Sequence, residues 1–234
     1  MAENVQESLT YYQSQAYPTQ AQRTYDILLE MIALEALPGK KVYTELELCQ
    51  MLQIGRTPLR EALKLLEFDS IIKTIPRLGI QVQECRIEDY CLLAEVRTVL
   101  EKVVIRRACR LATGSFQQEL DRLNGAYRAT CQANDPLALY RVDRKLHDLI
   151  DECSKNPYAV HALAPLRFYE QRVHYLLSRV YPEIGDMLDT EHIAYVEAII
   201  AGLPDDACTH FENMVASTEK LVQLQMRANM GTLF

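Results

Sequence analysis

The sequence is poor in the residues that mark several classes of protein. Tryptophan is absent, and 8 Gly and 9 Pro are too few for a collagen-like or linker-rich chain. The seven Cys are scattered and form no Cys-x-x-Cys pair, which favours free thiols in a reducing cytosol over a disulfide framework. No apolar run approaches the roughly 20 residues of a membrane span, and the first residues do not read as a signal peptide. We therefore expect a cytoplasmic protein without a membrane partner.

Basic residues are also fewer than acidic residues in this sequence. The chain has 25 Lys and Arg against 32 Asp and Glu, a formal net charge of −7, which disfavours a protein that coats nucleic acid through bulk charge. A local basic patch is compatible with this balance and has to be located by position. The content of apolar residues, 49 %, is that of a folded globular protein.

Residue patterning divides the chain near residues 84–88. Residues 1–18 are polar, and we predict a flexible N-terminal arm there. Residues 19–84 carry three short helical patterns followed by a β-branched run, a turn and an alternating run, which predicts a small β-hairpin. Residues 88–230 read as helices with short connections, so the predicted fold is mainly α, with an all-α bundle after the hairpin.

Three short helices followed by a hairpin is the order of a winged helix-turn-helix. Arg56 and Arg60 open the third helix four residues apart, so they share the face on which a recognition helix presents side chains to base edges. Lys64 continues this basic face, and Arg77 adds charge on the hairpin. Alone, the two arginines could form a solvated face with ordinary salt bridges. The order of the elements favours a DNA-binding role.

The same module is similar to a known family. Its similar segments are Pro38-Gly39, the run ELELCQMLQIGRTPLREALKLLE over 45–67, and Arg77-x-Gly79. They resemble the DNA-binding half of GntR-family transcription regulators. The run RTPLREAL, which begins at Arg56, is the most specific part of this resemblance.

The resemblance implies roles for individual residues of the module. Arg56, Thr57 and Arg60 would contact DNA, and Gly79 would lie at the tip of a wing in the minor groove. Leu46 departs from the family pattern, because many members have an Arg at this position of the second helix. One contact to DNA is therefore expected to be missing here.

The helical remainder resembles the FCD domain of the FadR-like branch of this family. The similar segments are Arg97-x-x-x-Glu101, Val142-Asp143-Arg144-Lys145-Leu146-His147 before Asn156-Pro157, and Glu191-His192 before Glu197-Ala198. The resemblance implies that residues 88–230 bind an effector and support dimerisation. A homodimer would match a palindromic operator, because two-fold operators mirror two-fold proteins. The effector we favour is a small carboxylate.

The helical part also contains a candidate metal site. Asp143 and His147 are four residues apart on one predicted helix, and a carboxylate and an imidazole at this spacing can bind one divalent ion of the Zn, Ni or Mn class. His192 would supply a third ligand. The family's further His corresponds to Met214, a poor ligand, and His210 one turn earlier is the substitute we consider.

Several interpretations of these polar residues stay open. Asp143, His147 and His192 could form a metal site, an effector pocket without metal, or a set of satisfied buried groups. Arg97 could hold an effector carboxylate through a bidentate contact, or it could pair with Glu101 or another acid. Two further histidines fit no motif, and we expect surface or packing roles for them; they are His161 and His174.

The leading functional hypothesis is a ligand-responsive transcription regulator, a repressor, rather than an enzyme. A metal-dependent enzyme is the first alternative, but the chain has a single Asp-x-x-x-His pair and no phosphate loop or G-x-S-x-G motif. The second alternative is an interaction protein whose winged module no longer binds DNA, which the acidic pI and Leu46 support weakly.

Overall fold

The structure is a computed structural model that describes residues 2–39, 41–133, 135–181 and 185–231. The chain divides into two compact units, Met1–Cys85 and Arg86–Phe234. Among the residues that the structure describes, the first unit contains four helices and a small sheet, and the second consists of helices and the short segments that connect them. This mainly α architecture confirms the predicted fold class.

The N-terminal residues are folded, which corrects the prediction of a flexible arm. Helix α1 spans Ala2–Gln13 and packs on α2, which spans Gln20–Ala33. The hydroxyls of Ser8 and Tyr12 donate hydrogen bonds of 2.5 and 3.0 Å to the carboxylate of Glu30, which is fully buried in α2. The polar side chains in this segment, which led to the prediction of an arm, include the hydroxyls that attach α1 to α2. Met1 lies outside the described residues.

The helix-turn-helix follows α2 and is formed by α3, Glu45–Leu52, and α4, Arg56–Phe68. Thr44 begins α3 with a capping box, because its hydroxyl accepts from the Glu47 amide while its own amide donates to the Glu47 carboxylate. Six apolar residues of these two helices are buried and contribute to the core of the unit; they are Leu48, Leu52, Leu59, Ala62, Leu63 and Leu66.

The predicted hairpin is present and forms the wing. Strands β2, Ile72–Ile75, and β3, Gly79–Val82, pair antiparallel, and a two-residue strand β1, Val42–Tyr43, pairs with the other edge of β3. Gly79 has φ of +138°, and a Cβ on it would lie 2.2 Å from the carbonyl oxygen of Tyr43. Glycine is therefore required where β3 approaches β1.

After a short 3-10 turn at Ile87–Asp89, the part of the second unit that the structure describes consists of six helices and their connections. The helices are α5 Tyr90–Leu111, α6 Ser115–Ala133, α7 Pro136–Ser154, α8 Pro157–Ser178, α9 Gly185–Ile200 and α10 Pro204–Gly231. Asp135 and Asn156 cap α7 and α8 through their side chains, and a proline follows each cap at the first helical position. These caps explain why the chain breaks between helices at these points.

Helix α5 holds a central position in the second unit, because it packs against α7, α8 and α10. On the other side of the unit, α6 packs against α7 and α9. This arrangement brings the middle of α7 close to α9, where the candidate ligand site lies. Throughout the described ranges, no helix combines the length and the apolar character needed to cross a bilayer.

Candidate DNA-binding surface and ligand site

The first turns of α4 separate into a buried and an exposed face. Leu59 and Leu63 point into the core, whereas Arg56, Thr57 and Arg60 are exposed. Lys64 lies on the exposed side one turn further along the helix. The structure therefore places these predicted DNA-contacting side chains where a duplex could reach them, and the contacts themselves stay a prediction.

Arg60 is held by an acid from the preceding helix. Its Nε lies 3.0 Å from both carboxylate oxygens of Glu45 in α3, and its Nη2 lies 2.9 Å from Oε2. The hydrogen bond from Arg60 lowers the pKa of Glu45. Both side chains are largely exposed, so the pair contributes little to stability in water. The pair places the Arg60 guanidinium beside α3.

The wing is fastened to α4 and carries its own basic residue. The amide of Thr74 in β2 donates a 2.8 Å hydrogen bond to the carboxylate of Glu67 at the end of α4. Arg77 is exposed in the turn before Gly79 and has a positive φ of 68°. Leu46, which departs from the family pattern, is an exposed apolar residue on α3.

In the second unit, a carboxylate and two imidazoles converge between α7 and α9. Oδ1 of Asp143 lies 3.1 Å from Nε2 of His192 and 3.6 Å from Nε2 of His147. The ligand atoms of all three lie within 4.8 Å of one another. Gln171 of α8 donates to the other oxygen of Asp143, and the ring of Tyr127 stacks on His192 with centroids 4.2 Å apart.

Several nitrogen atoms of this cluster lack hydrogen-bond partners. Nδ1 of His147 and both ring nitrogens of His192 are buried and have no partner among the described residues, since the contact to Asp143 is close but poorly aligned. An unsatisfied buried polar atom costs about 1–3 kcal/mol. Unpartnered imidazole nitrogens beside a carboxylate fit a divalent ion of the class that imidazole and carboxylate bind.

The protonation states of Asp143 and His147 favour the binding of a cation. Burial lowers the pKa of His147 to about 4, although Asp143 opposes this shift. Burial disfavours ionisation of Asp143, but the neighbouring imidazoles of His147 and His192 and the hydrogen bond from Gln171 hold its pKa below the ordinary value. At neutral pH the site therefore presents a carboxylate and a neutral imidazole, the forms that bind metal.

The fourth predicted ligand is not part of the cluster, which corrects the prediction for His210. Nδ1 of His210 lies 2.7 Å from the carboxylate of Glu191, and Asn213 donates to the same oxygen. Met214, at the position of the family's further His, accepts a hydrogen bond from Thr218 through its backbone carbonyl. Among the described residues the site offers three protein ligands, which leaves coordination positions open for another molecule.

Arg97 is already neutralised by acids of its own domain. It is buried, contacts Glu170 of α8 through a short ion pair, and lies 3.2 Å from Glu101 one turn along α5. Glu101 also accepts two 2.6 Å hydrogen bonds from Arg167, which pairs in turn with Asp151. Of the two interpretations of Arg97, the structure shows the pairing with acids.

His174, for which the sequence predicted a surface or packing role, lies on α8 and contacts α10. Its Nε2 lies 3.0 Å from the hydroxyl of Thr218, and burial lowers its pKa. The hydroxyls of Tyr90 and Tyr195 are buried nearby without a partner among the described residues. No motif or spacing links these residues, because they come from four different helices. His161 is exposed, as expected.

Comparison with known families covers both units. Residues 20–82 match the model of bacterial regulatory proteins of the gntR family, and residues 92–217 match the model of the FCD domain. Helix α1 therefore lies outside both matches.

Curated proteins of similar sequence are regulators. The Nta operon transcriptional regulator of Aminobacter aminovorans is 26 % identical over 176 residues, which cover 74 % of this chain and 80 % of that protein. The probable D-xylose utilization operon transcriptional repressor of Paenarthrobacter nicotinovorans is 23 % identical over 198 residues, 82 % of this chain and 85 % of the relative.

Solved structures share the fold. E. coli McbR/YncC superposes with a TM-score of 0.77 at 16 % identity, over 90 % of this chain and all of that one. A transcriptional regulator GntR from Rhodococcus sp. RHA1 gives a TM-score of 0.66 at 18 % identity, over 87 % of this chain and 97 % of that one.

Proposed function

The chain belongs to the GntR family of bacterial regulatory proteins and is a transcriptional regulator with an FCD effector-binding domain, not an enzyme; we propose that it is a ligand-responsive repressor. As a homodimer it would bind a palindromic operator in the cytoplasm. The DNA contacts come from Arg56, Thr57, Arg60 and Lys64 on α4 and from Arg77 and Gly79 on the wing.

The observation that carries this proposal is the outward-facing basic opening of α4 beside the wing. Arg56, Thr57, Arg60 and Lys64 are exposed, while Leu59 and Leu63, which alternate with them along the helix, are buried. The helix therefore turns its polar face to solvent whenever its leucines are packed in the core. Arg60 is also directed by Glu45, which reduces the conformational freedom that a contact to DNA would cost.

The effector is proposed to be a small carboxylate that reaches the cluster of Asp143, His147 and His192. A divalent ion held there would supply positive charge and open coordination positions for the carboxylate. Arg97 was the other candidate for this contact, and its two acidic partners argue for a structural role instead.

Regulation follows if the effector binds more tightly to one conformation of the protein than to another. Only such a difference shifts the population that binds DNA, with a typical coupling of about 1–3 kcal/mol. The effector site is central in the helical unit because α5, α7, α8 and α9 all contribute to the surrounding charge network.

The test is operator binding by the wild type and by Arg60→Ala, measured by fluorescence anisotropy across a salt series. We expect a loss of about 10- to 100-fold for the operator, because specific base contacts are worth about 1–3 kcal/mol. Arg227→Ala, which removes an exposed arginine of α10, is the matched control and should bind normally. Undiminished binding by Arg60→Ala would contradict the assignment of α4. Binding by the wild type that disappears uniformly with salt would favour the interaction-protein alternative.

A further inference from the structure

One tyrosine of α8 holds the residue at which the second unit begins. The chain passes from the first unit to the second between Cys85 and Arg86. The backbone amide of Arg86 donates a 2.7 Å hydrogen bond to the hydroxyl of Tyr169, and the same hydroxyl donates a 2.6 Å hydrogen bond to the carbonyl oxygen of Arg86. We name this pair of hydrogen bonds the Tyr169 latch. Both depend on one oxygen atom, so they are lost together when that atom moves away.

A short turn separates the Tyr169 latch from the first long helix. Arg86 precedes the 3-10 turn Ile87–Asp89, and its carbonyl also accepts a 3.0 Å hydrogen bond from the amide of Asp89. Tyr90 then begins α5. The latch therefore constrains the backbone at the point where the chain enters α5.

The two residues that follow Tyr169 reach the charge network and the candidate ligand site. Glu170 pairs with Arg97 of α5, and Gln171 donates a 2.9 Å hydrogen bond to Asp143 of α7. Consecutive residues of an α-helix point in directions about 100° apart. One turn of α8 therefore connects three separate places in the second unit, and a displacement of this turn changes all three contacts.

A proline interrupts the hydrogen bonds of α8 one turn before Tyr169. Pro165 lies inside this helix, which spans Pro157–Ser178. It has no amide proton to donate to the carbonyl of His161, and its ring crowds that carbonyl. A helix bends most easily at such a position. The part of α8 that follows Pro165 carries both Tyr169 and Gln171, so these two side chains move together when the helix bends.

We propose that Tyr169 is a positioning residue that couples the occupancy of the candidate ligand site to the point where the chain enters the second unit. An ion or effector that immobilises Asp143 also immobilises Gln171 and, through α8, the Tyr169 hydroxyl, so the latch opens less often. Coupling between two places requires an element with two states that both places bias. The closed and the open latch are these two states.

The coupling is compatible with ligand binding at Asp143. Oδ1 of Asp143 faces the imidazoles of His147 and His192, whereas its other oxygen accepts the hydrogen bond from Gln171. A ligating carboxylate commonly keeps such an outer hydrogen bond, which orients it. The inference rests on the ligand site of the proposed function and adds the residues through which that site acts.

The first test removes the latch and keeps the aromatic ring. Tyr169→Phe is compared with Tyr158→Phe, which alters an 88 % exposed tyrosine in the first turn of the same helix. Hydrogen–deuterium exchange at the amide of Arg86 is measured on the full-length protein with overlapping peptides. Exchange should be about 2- to 10-fold faster in Tyr169→Phe, because the hydrogen bond that protects this amide is lost. Tyr158→Phe should exchange like the wild type. Equal exchange at Arg86 in all three proteins overturns the latch.

The second test asks whether the ligand site controls the latch, with Zn²⁺ alone as the probe. In the chelator-treated wild type, saturating Zn²⁺ should slow exchange at Arg86 at least about twofold, because Asp143 and Gln171 become fixed. Gln171→Met keeps the length of the side chain without its amide, so Zn²⁺ should still bind but leave exchange at Arg86 unchanged. Tyr169→Phe should also show no effect of Zn²⁺ at Arg86. A Zn²⁺ effect of equal size in the wild type and in Gln171→Met overturns the coupling.

The outcomes separate this inference from the proposed function. Zn²⁺ that binds the wild type in isothermal titration without slowing exchange at Arg86 overturns the coupling and leaves the ligand site standing. A wild type that binds no Zn²⁺ overturns the metal site and the coupling with it. DNA binding through α4 is measured independently with Arg60→Ala, so its failure is distinct from both results.

Discussion

The two units use charged side chains in opposite ways. In the first unit the basic residues of α4 and the wing are exposed, and the ion pair between Arg60 and Glu45 lies at the surface. In the second unit, arginines and acids form a buried network around Glu101. Exposed charges cost little and are available to a polyanion, whereas buried charges persist only when each has a partner. The comparison predicts that surface charges govern binding and interior charges govern stability.

The largest expected effect comes from breaking the buried network. Glu101→Gln leaves the guanidinium of Arg167 with reduced compensation in a buried position and should lower the free energy of unfolding by about 3–5 kcal/mol. Urea denaturation followed by circular dichroism measures this loss. The matched control is Glu119→Gln, which breaks a surface pair with Arg122 and should leave the urea midpoint unchanged. Equal effects of the two substitutions would refute the distinction between interior and surface charges.

The carboxylate of Glu101 should also make the stability of the protein depend on pH. Burial opposes ionisation of Glu101, but Arg167 and Arg97 lower its pKa from 4.5 to about 2. Because the folded pKa is depressed, its stabilising contribution is complete above pH 4.5 and is lost as the pH falls towards 2, a change on the order of 3 kcal/mol. Wild type and Glu101→Gln should therefore converge in stability across this window. A constant difference between them down to pH 2 would contradict the role of Glu101.

Sequence patterns predicted the structural features that depend on residues close together in the chain. The helix-turn-helix, the hairpin and the helix starts at Pro136 and Pro157 follow from periodicity, turn residues and caps within a few residues of each other. Asp143 and His147 share a face because of their spacing on one helix.

The features that sequence patterns missed depend on tertiary contacts. Glu170, the partner of Arg97, lies 73 residues away along the chain, and α1 docks through hydrogen bonds to the buried Glu30 of the next helix. The prediction for His210 was wrong because tertiary packing places its ring against Glu191 of α9 and not beside Asp143.

An intermediate effect is expected at the cluster of Asp143, His147 and His192, where buried imidazole nitrogens lack hydrogen-bond partners among the described residues. His147→Ala should reduce the affinity for a divalent ion by at least about 10- to 100-fold, because it removes one of three ligands. Isothermal titration of the chelator-treated protein with Zn²⁺, Ni²⁺ and Mn²⁺ measures the affinity. His210→Ala is the control and should bind as the wild type does, because His210 lies against Glu191 instead. If His210→Ala lost its affinity for the divalent ion, His210 would have to be a metal ligand after all.

The smallest expected effect tests the surface ion pair that directs Arg60. Glu45→Gln removes a negative charge beside the recognition helix and frees the guanidinium. Non-specific DNA should then bind a few-fold more tightly at low salt, because less negative charge opposes the phosphates. The operator should gain less, because Arg60 loses its fixed orientation, so the ratio of specific to non-specific affinity falls. Anisotropy titrations with operator and scrambled duplexes measure both affinities. A ratio that is unchanged would mean that Glu45 only screens charge, whereas a reduced ratio assigns it the positioning of Arg60.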